Sequence, residues 1–201
     1  MIGTGSRRRG QLALTLLLAL ACGSSVASRP TTTLPVAAGE LDRAVPLTRC
    51  PEDVAVPLAR RTTTVLPCLT APGGLVRIAP GSGRAEVINV WASWCEPCRA
   101  ELPAVEAFAK AAGPAVEVIG VDTADERSAA QSTISDFTLT YPMVSDPGQH
   151  ILHSIGAQGL PATLFVAPGG DIRYVYNSGT ALDTAHLDAL AATYLGVTVR
   201  R

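Results

Sequence analysis

The chain has 201 residues, 47% of them hydrophobic, with 16 Lys and Arg against 17 Asp and Glu and a formal net charge of −1. That balance excludes a nucleic-acid surface built on bulk positive charge, and the length is that of one domain able to bury a substantial core. Five cysteines make thiol chemistry the first question.

The chain opens as an export signal. Arg7, Arg8 and Arg9 precede an uncharged apolar run from Leu12 to Ala21, long enough for a signal core and too short to span a membrane as a helix. The run ends in Ala19-Leu20-Ala21-Cys22-Gly23, similar to a bacterial lipobox, in which the cysteine is acylated and becomes the mature amino terminus. Ala19 stands where leucine is preferred. A cut after Ser25-Val26-Ala27 would instead release a soluble secreted protein and discard Cys22. Residues 1–22 are therefore expected to be a signal peptide, and residues 23–45, rich in Ser, Thr, Pro and Ala, a flexible tether. Residues 46–201 form the domain. Loss of the three arginines on processing leaves the remainder more acidic, so nothing suggests nucleic acid.

Leu75–Ala79 and Glu86–Ala92 read as strands, with Pro80-Gly81-Ser82-Gly83 between them as a hairpin turn. A helix follows from the Cys95-Glu96-Pro97-Cys98 motif to about Ala112, with Leu102, Val105, Phe108 and Ala109 on one face and Pro103 inside it. Val116–Val121 reads as a buried strand, Asp125–Leu139 as a helix opening on acids, and Tyr141–Ser145 as a strand. A short helix over Gln149–Ile155 leads to strands Ala162–Val166 and Ile172–Tyr176, joined by a Gly169-Gly170-Asp171 turn. Asp183–Leu195 closes as a helix capped by Gly196.

Cys95 stands where a buried strand gives way to a helix, so unpaired backbone N–H groups and the helix dipole favour a thiolate there. Cys98, one helical turn on, is placed to resolve a mixed disulfide by forming an intramolecular one. A zinc site would need two more ligands, and Cys50, Cys68, His150, His153 and His186 show no matching spacing, so no metal is expected. In an oxidising compartment Cys50 and Cys68 are expected to pair as a structural bridge; two free buried thiols or a second redox pair are the alternatives.

The strand, Trp91-Ala92-Ser93-Trp94-Cys95-Glu96-Pro97-Cys98 and helix, followed by Gly159-Leu160-Pro161-Ala162-Thr163, resemble the thioredoxin fold over roughly residues 66–196. More narrowly, the segment is similar to the TlpA/ResA-like extracytoplasmic branch, through the strand–helix insert around Val116–Leu139, the Glu-Leu-Pro after the motif and Asn89 in the preceding strand. The resemblance implies an α/β fold with a central mixed sheet flanked by helices. It implies that Pro161 is a cis proline facing the cysteines, that Leu160 offers its backbone to an extended substrate, and that Trp94 is an exposed aromatic beside the nucleophile, leaving Trp91 to the core. Glu96 and Pro97 also belong to the substrate-facing loop; Glu96 opposes a thiolate at Cys95, and Pro97 stiffens the turn.

Asn89 occupies the place of the buried aspartate of thioredoxins and cannot titrate. Glu101, one turn beyond Cys98, matches a glutamate of the ResA-like branch and is expected to carry the proton instead. The implied activity is thiol–disulfide exchange on exported proteins. Cys95 acts as nucleophile and Cys98 as resolving thiol, no cofactor is needed, and a membrane electron donor re-reduces the pair. A reductase serving cytochrome c maturation is the first reading. A disulfide oxidase of the same fold and a non-catalytic chaperone or binding module are the alternatives. A thiol peroxidase would want a Thr three residues before its cysteine, which neither Cys95 nor Cys98 has.

Overall fold

The computed structural model describes residues 50, 53–54, 64–70, 74–78 and 83–201. The expected signal peptide, Cys22 and the tether lie outside the described residues, as do residues 80–82 of the expected hairpin turn.

Among the described residues the chain runs β1 (Asp53–Val54), β2 (Thr64–Pro67), β3 (Leu75–Ile78), β4 (Ala85–Trp91), α1 (Glu96–Ala112), a 3-10 turn, β5 (Val116–Thr123), α2 (Arg127–Asp136), β6 (Met143–Asp146), α3 (His150–Ile155), β7 (Ala162–Val166), β8 (Ile172–Tyr176) and α4 (Thr184–Leu195). Five strands form one mixed sheet in the order β6-β5-β4-β7-β8. β4 and β5 pair parallel, as do β5 and β6, and β7 runs antiparallel to both β4 and β8.

β4 sits at the centre because its sequence suits burial on both faces. Every residue of β4 is buried. Alternation sends Val87 and Trp91 into an apolar cluster with Leu102, Val105 and Phe108 of α1 and Leu187 and Ala191 of α4. Ile88 and Val90 go to the opposite face, with Ile119, Val121, Leu164 and Ile151.

The expected hairpin between the strands flanking residues 80–83 does not form. β3 instead pairs antiparallel with β2 and parallel with β1 in a separate three-stranded sheet. Both edges of β4 are taken by β5 and β7, which leaves no position for β3 beside it. The small sheet is fastened to the large one at β6. Cys68 makes an isolated antiparallel bridge with Val144, Leu69 N–H donates to the Met143 carbonyl at 2.8 Å, and Cys68 is disulfide-bonded to Cys50.

The helix expected over Asp125–Leu139 is shorter than its pattern. Ala124 takes a left-handed conformation with φ of 51° and Asp125 turns toward the redox loop, so the helix begins at Arg127. At the other end Thr138 is left-handed at φ 52°, and Leu139 N–H closes on the Ile134 carbonyl at 3.0 Å, which ends the helix at Asp136.

Gly120 of β5 is fixed by space. A Cβ there would lie 3.0 Å from Met143 Cγ, 3.1 Å from Tyr141 Cε2 and 3.2 Å from Trp91 Nε1. Gly120→Ala is therefore expected to destabilise the domain by about 1–3 kcal/mol through overpacking. Urea unfolding checks this; a midpoint equal to wild type would show that the three rings and chains part without strain.

Candidate active site

The redox motif is built where β4 hands over to α1. Cys95 is the N-cap of the helix, with extended φ and ψ of −86° and 105°, and its sulfur accepts the backbone N–H of Cys98 at 3.3 Å. Pro97 fits the first turn because its missing N–H would have had no helical partner there. Cys95 and Cys98 are bonded to each other, with Cα atoms 5.2 Å apart. Cys98 is wholly covered and Cys95 is 5% exposed, so of the two residues only Cys95 reaches the surface.

Around the pair, Trp94 is 63% exposed and Trp91 is buried in the core. The Trp94 indole N–H donates to the Ala124 carbonyl at 2.9 Å, which holds the ring beside the loop after β5. Glu96 is exposed and Pro97 half-buried. Leu160 is half-buried, Pro161 is buried, and the peptide bond between them is cis. Register Val90↔Ala162 brings Pro161 to the end of β4 from which the redox loop leaves.

Glu101 lies on the buried face of α1, fully covered. One carboxylate oxygen accepts from Asn89 Nδ2 at 2.6 Å and the other from the Leu182 backbone N–H at 3.0 Å. Burial pushes the carboxyl up to about 7, against the pull of those two hydrogen bonds. Asn89 also donates to Thr163 Oγ1 at 3.1 Å, so β4, β7 and α1 meet at this amide. The group is thus poised to exchange a proton near neutrality.

Two residues at the site lie outside the sequence expectation. Asp125 accepts from both the backbone N–H and the hydroxyl of Ser93, the latter at 2.9 Å, and so clamps the segment just before Cys95. Its acidic character at the head of a helix-like stretch suggested an ordinary helix start. Asn177 donates to the carbonyls of Gly159 and Pro161, both at 2.8 Å, and fixes the cis-proline loop from the end of β8. Its only sequence signal is a lone Asn after a strand.

Cys50 and Cys68, the further cysteines a zinc site would need, are bonded to each other. No group of three metal-ligating side chains occurs among the described residues, and no described helix is long and apolar enough to cross a membrane.

A mixed sheet flanked by helices, with a cysteine pair at the strand-to-helix junction of its central strand and a cis proline alongside, defines a thioredoxin-like protein. The chain belongs to the AhpC/TSA family, whose model matches residues 64–175. Among curated proteins it is 29% identical over 111 residues to the thiol-disulfide oxidoreductase ResA of Oceanobacillus iheyensis, covering 54% of this chain and 57% of that protein. It is 32% identical over 113 residues to the thiol:disulfide interchange protein DsbE of Pseudomonas fluorescens biotype C, covering 56% and 61%. The chain thus spans about three-fifths of the length of these relatives. A secreted Mycobacterium tuberculosis disulfide oxidoreductase homologous to E. coli DsbE shares the fold, with TM-score 0.56, 24% identity and coverage of 65% of this chain and 95% of that one. StoA from Bacillus subtilis does likewise, with TM-score 0.55, 21% identity and coverage of 64% and 96%.

The raised Glu101 carboxyl has a stability consequence. The folded state holds its proton more tightly than the unfolded chain, so this contribution is greatest below the ordinary glutamate range and is lost as pH rises to about 7. The oxidised protein should unfold at lower urea at pH 7.5 than at pH 5, and Glu101→Gln should show a smaller loss. Equal losses in the two proteins would mean that the carboxyl is not perturbed.

Proposed function

We propose that this chain is an exported thiol–disulfide oxidoreductase that works through the Cys95–Cys98 couple. The observation that carries the reading is the bonded pair itself, seated at the N-cap and third position of α1 with a buried, proton-poised Glu101 one turn further on. ResA and DsbE relatives, named for thiol–disulfide exchange, support it.

In the reductive direction the Cys95 thiolate attacks one sulfur of a substrate disulfide, and the other substrate sulfur leaves as a thiolate. Cys98 then attacks Cys95, releases the second substrate sulfur and closes the intramolecular disulfide. Two electrons pass to the substrate, and a dithiol donor in the membrane restores the pair. The helix N-terminus favours negative charge on Cys95, and Glu101 takes the Cys98 proton as that sulfur becomes the attacking group. Trp94, Glu96, Pro97, Leu160 and Pro161 form the substrate-facing rim. Exported proteins with cysteine pairs, apocytochromes c among them, are the proposed substrates. Residues 46–201 carry the activity, and residues 1–45 supply the signal, the Cys22 lipid anchor on the outer face of the cytoplasmic membrane and the tether.

Glu101→Gln keeps the shape and the Asn89 contact region but removes the titration. Disulfide reduction should slow roughly ten- to hundredfold with little change in substrate affinity, and the pH profile between about 5 and 8 should flatten. A rate and profile equal to wild type would transfer the proton to water or to the thiols.

The Cys50–Cys68 bridge is proposed to be structural. Replacing both cysteines with Ala is expected to cost about 3 kcal/mol in unfolding and to leave disulfide reduction at the wild-type rate. Mass spectrometry finding Cys50 or Cys68 joined to Cys95 or Cys98 during turnover would instead make the second pair a relay.

A further inference from the structure

The peptide groups around the cis proline are not equally available. Asn177 follows β8 and is half-buried. Its amide nitrogen carries two hydrogens and uses both, on the carbonyls of Gly159 and Pro161 at 2.8 Å each. Its amide oxygen accepts the Gln158 backbone N–H at 3.3 Å. One side chain thus holds Gln158, Gly159 and Pro161 together. Leu160, the residue it passes over, has neither its N–H nor its carbonyl in a hydrogen bond among the described residues.

The segment that carries Asn177 is itself held in one shape. Gly179 is left-handed at φ 75°, and the Thr180 hydroxyl meets the Tyr176 hydroxyl at 2.8 Å and the Ser178 hydroxyl at 2.7 Å. A few residues on, Leu182 is buried and its N–H is the one that Glu101 accepts. On the other side of the cis proline the β4–β7 ladder stops at Val90↔Ala162, because β4 turns into the redox loop after Trp91. Beside Leu160, between that ladder end and the redox loop, no described strand continues the sheet.

We infer that Asn177 is a positioning residue that sets the register of substrate binding: it occupies the carbonyls on either side of Leu160 and leaves the Leu160 N–H and carbonyl as the pair to which an extended substrate segment bonds, in the place that β4 vacates. This role rests on the oxidoreductase reading, and what it recognises is the substrate main chain beside the reacting cysteine. Main-chain pairing asks little of the substrate side chains, so it suits exported chains of varied sequence. A segment that bonds to a loop already held pays less in ordering than one that must first shape the loop. Without the Asn177 amide, three backbone groups of the loop turn to water, and Leu160 is presented in only a fraction of the shapes that the loop then samples.

The test uses the reduced full-length protein and a short extended peptide whose one cysteine is in a mixed disulfide with thionitrobenzoate. Cys95 attacks the peptide sulfur and coloured thionitrobenzoate leaves; Cys98 then attacks Cys95 and frees the peptide thiol, so two electrons pass from the pair to one disulfide. In Asn177→Ala the half-saturating peptide concentration should rise about five- to twentyfold while the limiting rate stays within about twofold of wild type. Asn177→Asp, of the same size but without a donor, should do the same. Dithiobis(nitrobenzoate), which has no peptide backbone, should react with both variants at the wild-type rate. Methylating the peptide nitrogen on one side of the cysteine should raise half-saturation in wild type by a similar factor, and that penalty should shrink in the variants. Half-saturation equal to wild type in both variants overturns the inference, as does an equal fall in rate for the peptide and for dithiobis(nitrobenzoate), which marks a site loosened throughout. If neither variant folds, a wild-type protein indifferent to methylation on both sides of the cysteine overturns it. A wild-type protein that releases thionitrobenzoate from no peptide removes the oxidoreductase reading, and the role of Asn177 with it.

Discussion

The site depends on one hydrogen bond inside a closed core, from the Asn89 amide to Glu101. β4 is buried along its whole length and packs under α1, so any polar side chain on its α1 face must find its partner within the protein. Asn89 does so twice, to Glu101 on the helix and to Thr163 on β7. In return it fixes one oxygen of the Glu101 carboxylate, the other being held by the Leu182 N–H. An aspartate at the same place would face Glu101 as a second acid. An amide supplies a donor, which keeps one titratable group beneath the cysteines and fixes which one it is.

Comparison within the same helix shows what burial alone does and what donors do. Glu106, five residues further along α1, is nearly as covered as Glu101. It receives the Thr140 backbone N–H at 2.7 Å, the Thr140 hydroxyl at 2.6 Å and the Lys110 ammonium at 2.8 Å. Burial pushes its carboxyl up, but the Lys110 and Thr140 interactions outweigh that and hold it below the ordinary range. Glu101 has two neutral donors and no cation, and there burial wins. At Asp122 burial is joined by the negative charges of Asp125 and Asp146, and the carboxyl is pushed up to about 8. The order follows the number and charge of the donors each carboxyl meets, which explains why Glu106 serves as a structural anion while the other two stay near their protonation midpoint at neutral pH.

Much of this was legible in the sequence where chemistry is local. The cysteine spacing, the strand before it and the helix after it are neighbours in the chain, and the missing titratable group at Asn89 directed attention to Glu101. The exposed Trp94 and buried Trp91 followed from the same stretch. What was not legible depends on partners distant in the chain. Pro80-Gly81-Ser82-Gly83 marks a turn, but a turn does not say which strands pair across it; β4 is claimed by β5 and β7, and β3 goes elsewhere. Asp125 had the look of a helix start because acids are common there, whereas two of its donors come from Ser93, 32 residues earlier. Asn177 and the Gly159–Pro161 loop it fixes are likewise separated by a strand and its return.

The topology explains why those distant partners converge. β4 and β5 are adjacent and parallel, so the segments that leave their carboxyl ends, the redox loop and the loop carrying Asp125, emerge side by side. β7 runs antiparallel to β4, so its amino end, preceded by Pro161, arrives at the same edge. In open α/β sheets a site forms outside the carboxyl ends of the parallel strands, and here the antiparallel β7 contributes its entry loop to that same end. The disulfide, the exposed indole, the cis proline and Asp125 therefore share one end of the sheet, although they come from three separate stretches of the chain. Ser93 and Trp94 are hydrogen-bonded to the loop after β5, so the segment directly before Cys95 is held by a stretch of chain that arrives from a different strand.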